Sequence, residues 1–315
     1  VHASTWGEHW LSTSVVDRFP VGSDESQLSF RAEAVRRPDY VFHGIGPRTT
    51  QEARSRYSSD KLDGSVNYAL LLWRSSSLTS SFGVRSVQFD DRGCCEDVSI
   101  GEAAAEGHFS LPTGFDKGYK IAYQKLGIAI DSRQKRPASG SGVRLELDGE
   151  QAIDLQRDRQ SHWFRYGGSL VGFLDLNGRW RVLSLGVTML FADPVKNSGP
   201  IPFTEQVILG GSGPMRGFIM GRLNDRSAAV ATLQYQWPIW VWHDGATQLS
   251  MGNVFGSGLE GFEPGLSRLS WTMGLRTVSS PDHSFEIMAG FGTDLIKDGA
   301  HISSARIVFG ANRGF

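Results

Sequence analysis

The feature that most limits how this chain can fold is a two-residue alternation of apolar and polar side chains, repeated in short segments along most of its length. Leu183, Leu185, Val187, Met189 and Phe191 share one phase, and so do Val143, Leu145 and Leu147, opposite Arg144, Glu146, Asp148 and Glu150. Only an extended strand puts alternate residues on a common face. Similar segments fall at 28–34, 66–72, 78–84, 119–130, 166–176, 229–237, 247–255, 269–275, 285–291 and 305–315. Each is near the roughly 10 residues of a tilted strand that crosses a bilayer. Residues 1–16 alternate poorly and read as one further strand. Two local signals are sharper. The apolar phase slips by one between Tyr123 and Leu126, which predicts a bulge, and Asn177-Gly178 predicts a two-residue hairpin turn.

The connections have their own rhythm. Tight turns fall near Ser76, Pro137, Asn177, Asp244 and Asp282, and longer loops near Gly44, Gly101, Asp158, Gly211, Gly261 and Lys297. Short turns at one end and long loops at the other are the habit of outer-membrane barrels, whose long loops face outward. A mean hydropathy of -0.24 does not oppose this, because only every second strand residue of such a barrel meets lipid. No apolar run approaches the ~18 residues of a spanning helix, so a helical membrane protein is excluded. Trp237, Trp240 and Trp242, clustered at one strand end, read as an interfacial aromatic girdle. With 32 basic against 33 acidic residues the chain is no polycation, and nucleic acid is not expected as a partner.

Residues 192–227 interrupt the alternation for longer than ordinary connections do, and loops of that length usually have a function. At its centre is VILGGSGPMRGF. Gly210, Gly211, Gly213 and Gly217 free the backbone, Met215 and Phe218 offer apolar groups, and Arg216 offers one fixed charge. The expectation is an outer loop folded toward the lumen.

This tract, followed by Gly221, Arg222, Asp225 and the later WPIW, resembles the inserted loop of the BamA/TamA-like outer-membrane assembly-factor superfamily, the bacterial surface antigen family. Further likeness lies in FHGIG at 42–46, in Asp131, Arg133, Pro137 and Gly140, and in a terminal strand ending in Phe315. The resemblance implies an all-β fold, a transmembrane antiparallel β-barrel of about 12 to 16 strands, the family's full barrel having about 16, in a single domain spanning residues 1–315. No POTRA-like αβ repeat is visible in these residues.

The resemblance also implies that Arg216 enters the lumen and is held by acids on the following strands. The aligned positions here are Gln234 and Ser250, both neutral, with Asp225 a third candidate partner; failing these, Glu146 or Glu286 takes the acid's place. A second site is the seam between terminal strands, where Gly310 and Gly314 weaken pairing ahead of Phe315. By resemblance the function is insertion, assembly or translocation of outer-membrane proteins or lipid, in the bacterial outer membrane, with membrane lipids, unfolded clients and envelope subunits as partners. The alternative is a structural or pore-forming barrel without assembly activity, serving as a subunit of a larger envelope complex, favoured by the missing POTRA repeats and by the neutral Gln234 and Ser250.

Enzyme readings are weaker. Gly211-Ser212-Gly213 superficially follows a nucleophile elbow, but Pro214 breaks the spacing and no strand-to-helix context surrounds it. His283 and His301 lie at strand ends with no serine partner in the pattern, and the dispersed histidines show no metal-ligand spacing. No cofactor is implied. The adjacent Cys94 and Cys95 suit neither a metal site nor a disulfide framework; they close a ring or stay as thiols.

Overall fold

The computed structural model describes residues 2–5, 11–21, 23–134, 138–156, 161–278 and 285–310. A single antiparallel sheet of 14 strands carries almost all of them, each strand paired with the next one of the sheet along the chain. The strands are β1 (His2–Thr5), β2 (Leu11–Val21), β3 (Ser23–Phe42), β4 (Ser55–Leu71), β5 (Ser77–Asp90), β6 (Tyr119–Asp131), β7 (Gly142–Asp154), β8 (His162–Asp175) and β9 (Val182–Pro194). The long loop then carries a small ribbon, β10 (Val207–Leu209) with β11 (Leu223–Asp225), outside the main sheet. The wall resumes with β12 (Ser227–Trp240), β13 (His243–Phe255), β14 (Arg268–Thr277), β15 (Glu286–Leu295) and β16 (Ile302–Gly310).

Register turns the alternation into two continuous surfaces. Leu185, Leu233, Leu249, Trp271, Phe291 and Ala305 stand side by side across six strands. One residue along, the row reads Ser184, Gln234, Gln248, Thr272, Gly290 and Arg306. The first row faces outward, with Leu185 63% and Trp271 44% exposed, whereas Gln234, Gln248 and Thr272 are buried. A sheet that exposes leucine and tryptophan and buries glutamine is built for hydrocarbon outside and a polar interior. Phe309, at 64%, follows the outward phase, as do Val143 and Leu147 opposite the buried Arg144 and Glu150.

The sheet curls until its first long loop meets its last strands. Gln51 Nε2 donates to Ser303 O of β16 at 2.8 Å, Arg268 Nη2 of β14 donates to Thr49 O at 2.7 Å, and Asn253 Nδ2 of β13 donates to Pro47 O at 3.0 Å. Among the described residues no ladder joins the first strand to the last.

Several local expectations change. Residues 1–16 do not make one strand: β1 pairs with β2, which runs on to Val21, and the additional strand makes the number of wall strands even. There is no bulge in β6, whose pairing with β5 and β7 is unbroken. The apolar residues change sides instead: Tyr119 and Ile121 point inward beneath the long loop, while Leu126 and Ile130 face lipid. A filled lumen explains this, since an inner wall covered by a packed loop wants apolar residues. The hairpin at Asn177-Gly178 is also longer than two residues, because Asp175 pairs with Val182 and Leu176 N donates to Arg181 O. Trp180 takes a left-handed φ of 62° to complete that turn.

The turn at 241–242 leaves Trp240 and Trp242 exposed, while Trp237 lies over Gly245, where a Cβ would come within 2.4 Å of its ring. Between β5 and β6 a short helix, α1 (Ile100–Ala105), is capped by Ser99 and Glu102. Cys94 and Cys95, in the same loop, are bonded to each other. Pro137, Asp158, Asp282, His283, Ala311, Gly314 and Phe315 lie outside the described residues.

Candidate functional site

The long loop crosses the barrel interior and is fastened at both ends of its path. Near its start a single helical turn, Phe203–Glu205, seats Phe203 among rings from other loops and strands. Its centroid lies 5.3 Å from Phe42, 5.4 Å from Tyr57 and 5.1 Å from Phe89. Beside it Glu205 is 2% exposed. Arg85 Nη1 donates to its Oε1 at 2.9 Å, the Tyr119 hydroxyl donates to the same oxygen at 2.7 Å, and Arg165 Nη1 lies 3.3 Å from Oε2. Burial alone would raise the Glu205 carboxyl, but Arg165, Arg85 and Tyr119 outweigh it and hold it below the usual carboxylate range.

The second fastening is the glycine-rich tip. Arg216 Nη1 reaches both carboxylate oxygens of Glu286 on β15, each at 2.8 Å. Arg276 Nε of β14 donates to the same carboxylate at 3.0 Å, and Arg276 Nη1 donates to Gln234 Oε1 at 2.9 Å. Arg216 is 3% exposed, Glu286 and Arg276 not at all. Two guanidiniums thus share one buried acid, and the amide oxygen of Gln234 takes part of the second one's donors.

The backbone of the tip packs as closely as its charges. Gly217 N donates to Ser270 Oγ, and Ser304 Oγ donates to Gly217 O, both at 2.7 Å. A Cβ on Gly217 would sit 2.0 Å from Phe291 O, so only glycine allows this approach to β15. Phe218 is fully buried and its ring fills the space that a side chain at Gly292 would need. Arg306 of β16 donates to Phe218 O at 2.7 Å. Met215, with φ of 65°, is buried with Leu209, Leu223 and Val230 in the interior apolar cluster. Gly210 and Gly211 have φ of 103° and 71°, and Gly211 N donates to Phe218 O at 2.9 Å to close the tip.

The three partners expected for Arg216 do not touch it. Gln234 holds Arg276, Ser250 bonds to Thr232 and Gln248, and Asp225 receives Arg226 N within the ribbon, where burial raises its carboxyl. The acid at Arg216 is Glu286, and Glu146 is bound to Arg144. Gly310, at the terminal strand, lies opposite Glu286 in the ladder, so the strand that holds the tip's acid is the one paired with the last strand. Unforeseen was the first fastening. Its signal was present in Glu205, an acid within the apolar run IPFTEQVIL, and in Arg85, on a strand phase shared with inward residues. Arg276 was legible too, as the inward neighbour of Leu275. None of these groups is arranged as nucleophile and base; the arrangement ties a loop across a lumen.

Comparison with known proteins agrees with this geometry. A family model described as an Omp85 superfamily domain matches residues 10–280. No curated protein sequence matches the chain. Among solved structures, the fold is similar to BamA from Haemophilus ducreyi lacking POTRA domains 1–3, with TM-score 0.61 and 12% identity. It is also similar to CdiB from Acinetobacter baumannii, with TM-score 0.52 and 14% identity. Both matches cover 95% of this chain, which spans 61% of the first protein's length and 50% of the second's.

Proposed function

The chain belongs to the Omp85 superfamily, β-barrels of the bacterial outer membrane, and from that premise we propose that it inserts, assembles or translocates outer-membrane proteins or lipid at its terminal-strand seam. The observation that carries this reading is the place where the loop tip is fastened. Arg216 holds β15 through Glu286, while Ser304 and Arg306 of β16 hold the backbone of Gly217 and Phe218. The last strand is therefore braced from inside by the loop as well as from its side by β15. Loosening the tip loosens the strand that borders the seam.

The mechanism is passive and calls for no reacting group, metal or nucleotide. An open edge in hydrocarbon leaves backbone donors and acceptors unpaired, at several kcal/mol each. An incoming client strand satisfies them by adding to that edge. Clients, lipids and envelope subunits are the partners this reading expects. A structural barrel remains the alternative, but neutral residues at 234 and 250 favour it only while they are the partners of Arg216. With Glu286 in that place, this ground falls away.

Reconstitution tests the proposal. The purified chain in liposomes should speed the folding of an added, urea-unfolded outer-membrane barrel relative to empty liposomes, and Arg216→Ala should change that rate. Rates equal to those in empty liposomes, for both proteins, would reject assembly activity in favour of the structural reading.

A further inference from the structure

Beside the last strand lies a cavity of about 240 Å³, enclosed by the loop 43–54, the returning arm of the long loop and the outer part of β16. Its wall is strongly cationic. Arg54, Arg222 and Arg306 line it with His43 and Ser303, and Arg268 is buried behind. Carboxylates are scarce around them. Arg54 pairs with Asp97 at 3.0 Å, and Arg268 faces Asp294, 3.6 Å away and 43% exposed, with Asp298 acting from farther off. Arg222, 2% exposed, donates to Thr49 Oγ1 at 2.6 Å and Thr49 O at 2.9 Å, both neutral acceptors. Arg306 likewise donates to the carbonyl of Phe218.

Several polar atoms here lack a hydrogen-bond partner: Arg222 Nε, Arg268 Nε, His43 Nδ1 and Ser303 Oγ. Burying guanidinium donors without an anion is expensive, and evolution rarely leaves several such donors together around an empty space for packing alone. The crowding is reflected in Arg222, which burial and the nearby Arg268 push down to about 9, and in His43, which burial and Arg222 push down to about 3. An anion in the cavity would relieve both.

We propose that this cavity binds a phosphate-class oxyanion, supplied either by the headgroup of an outer-leaflet lipid or by free phosphate. Guanidinium forks match tetrahedral oxyanions through paired N–H bonds, and serine and imidazole can complete the set. The long-loop end of the barrel faces outward, which places the cavity near the outer leaflet; that orientation rests on the family assignment, whereas anion binding itself does not. A bound oxyanion would join the loop 43–54, the long loop and β16, and so strengthen the wall beside the seam.

The test uses the purified chain in detergent, with inorganic phosphate titrated against chloride at constant ionic strength and binding followed by phosphorus NMR line broadening. In parallel, the chain in nanodiscs of phosphatidylcholine, with and without phosphatidic acid, is analysed by native mass spectrometry for retained lipid. Binding in wild type should weaken by about tenfold or more in Arg222→Gln and in Arg306→Gln. Arg306→Gln decides the matter alone if the other variant does not fold. Retention of phosphatidic acid without phosphate binding assigns the lipid, and the converse assigns the free ion. If wild type prefers neither phosphate over chloride nor phosphatidic acid over phosphatidylcholine, or if folded variants keep full affinity, the site does not exist.

Discussion

At Glu286 three charges meet without solvent, one acid serving two guanidiniums, while the buried Asp244 of β13, opposite Arg276 in the ladder, acts on Arg276 as well. Removing the acid therefore harms more than removing either base. Glu286→Gln leaves Arg216 and Arg276 facing each other across an amide, a break of the kind that costs about 3–5 kcal/mol. Arg216→Ala leaves Glu286 its bond from Arg276, so the loss is nearer that of charged hydrogen bonds, about 1.5–3 kcal/mol. Thermal unfolding in detergent should rank Glu286→Gln below Arg216→Ala; the reverse order would mean that the charges are solvated. Gly217→Ala acts on shape alone. Its methyl cannot lie 2.0 Å from Phe291 O, so the tip should lift from β15 and become open to protease near Ser212, while the strands stay folded. Limited proteolysis with mass mapping checks this. The tip residues were legible because glycines around a lone arginine announce a shaped, charged loop. Their acid was not, since 70 residues separate Arg216 from Glu286 and sequence alone does not give the register between a loop tip and a distant strand.

On the scale of elements, the loop behaves as a strap with opposite charges at its two ends. It gives an acid to Arg85 and Arg165 on β5 and β8 and an arginine to Glu286 on β15. The two ends respond differently to acid. The Glu205 carboxyl is depressed in the folded protein, so its contribution is present above the unfolded carboxylate pKa of about 4.3 and is lost as pH falls through the lower folded value. Protease protection of the residues following 205 should hold at pH 7 and fall away in acid below that range. Glu205→Gln should be less protected at pH 7, and the acid-dependent difference between it and wild type should shrink as pH falls. Alternation gave most of the wall strands their phase, because each has one face toward lipid and the other toward a polar interior. It misled in β6 because the strap fills the interior there, so that Tyr119 and Ile121 are apolar and inward while Leu126 is apolar and outward. Asn177-Gly178 misled because its turn is set by Asp175, whose carboxylate accepts from Trp180 N and Gly140 N and draws a longer loop together.

Taken whole, the molecule is a curled sheet whose outer wall is apolar, whose interior is crossed by the strap, and whose first and last strands share no ladder among the described residues. The last strand, β16, has β15 on one side and, from within, the loop tip. The first long loop reaches that strand through Gln51, whose side chain donates to Ser303 O at 2.8 Å. Those two residues offer a lock. Cysteines at positions 51 and 303, with Cys94 and Cys95 replaced by serine, would join the first long loop to the last strand by a bond that reductant can open. The most direct measurement is the rate at which this protein, reconstituted in liposomes, folds an added client barrel before and after reduction. The account predicts little acceleration while the lock is closed and recovery to the unlocked rate once it opens. Equal acceleration in both states, with the cross-link verified, would contradict a yielding seam.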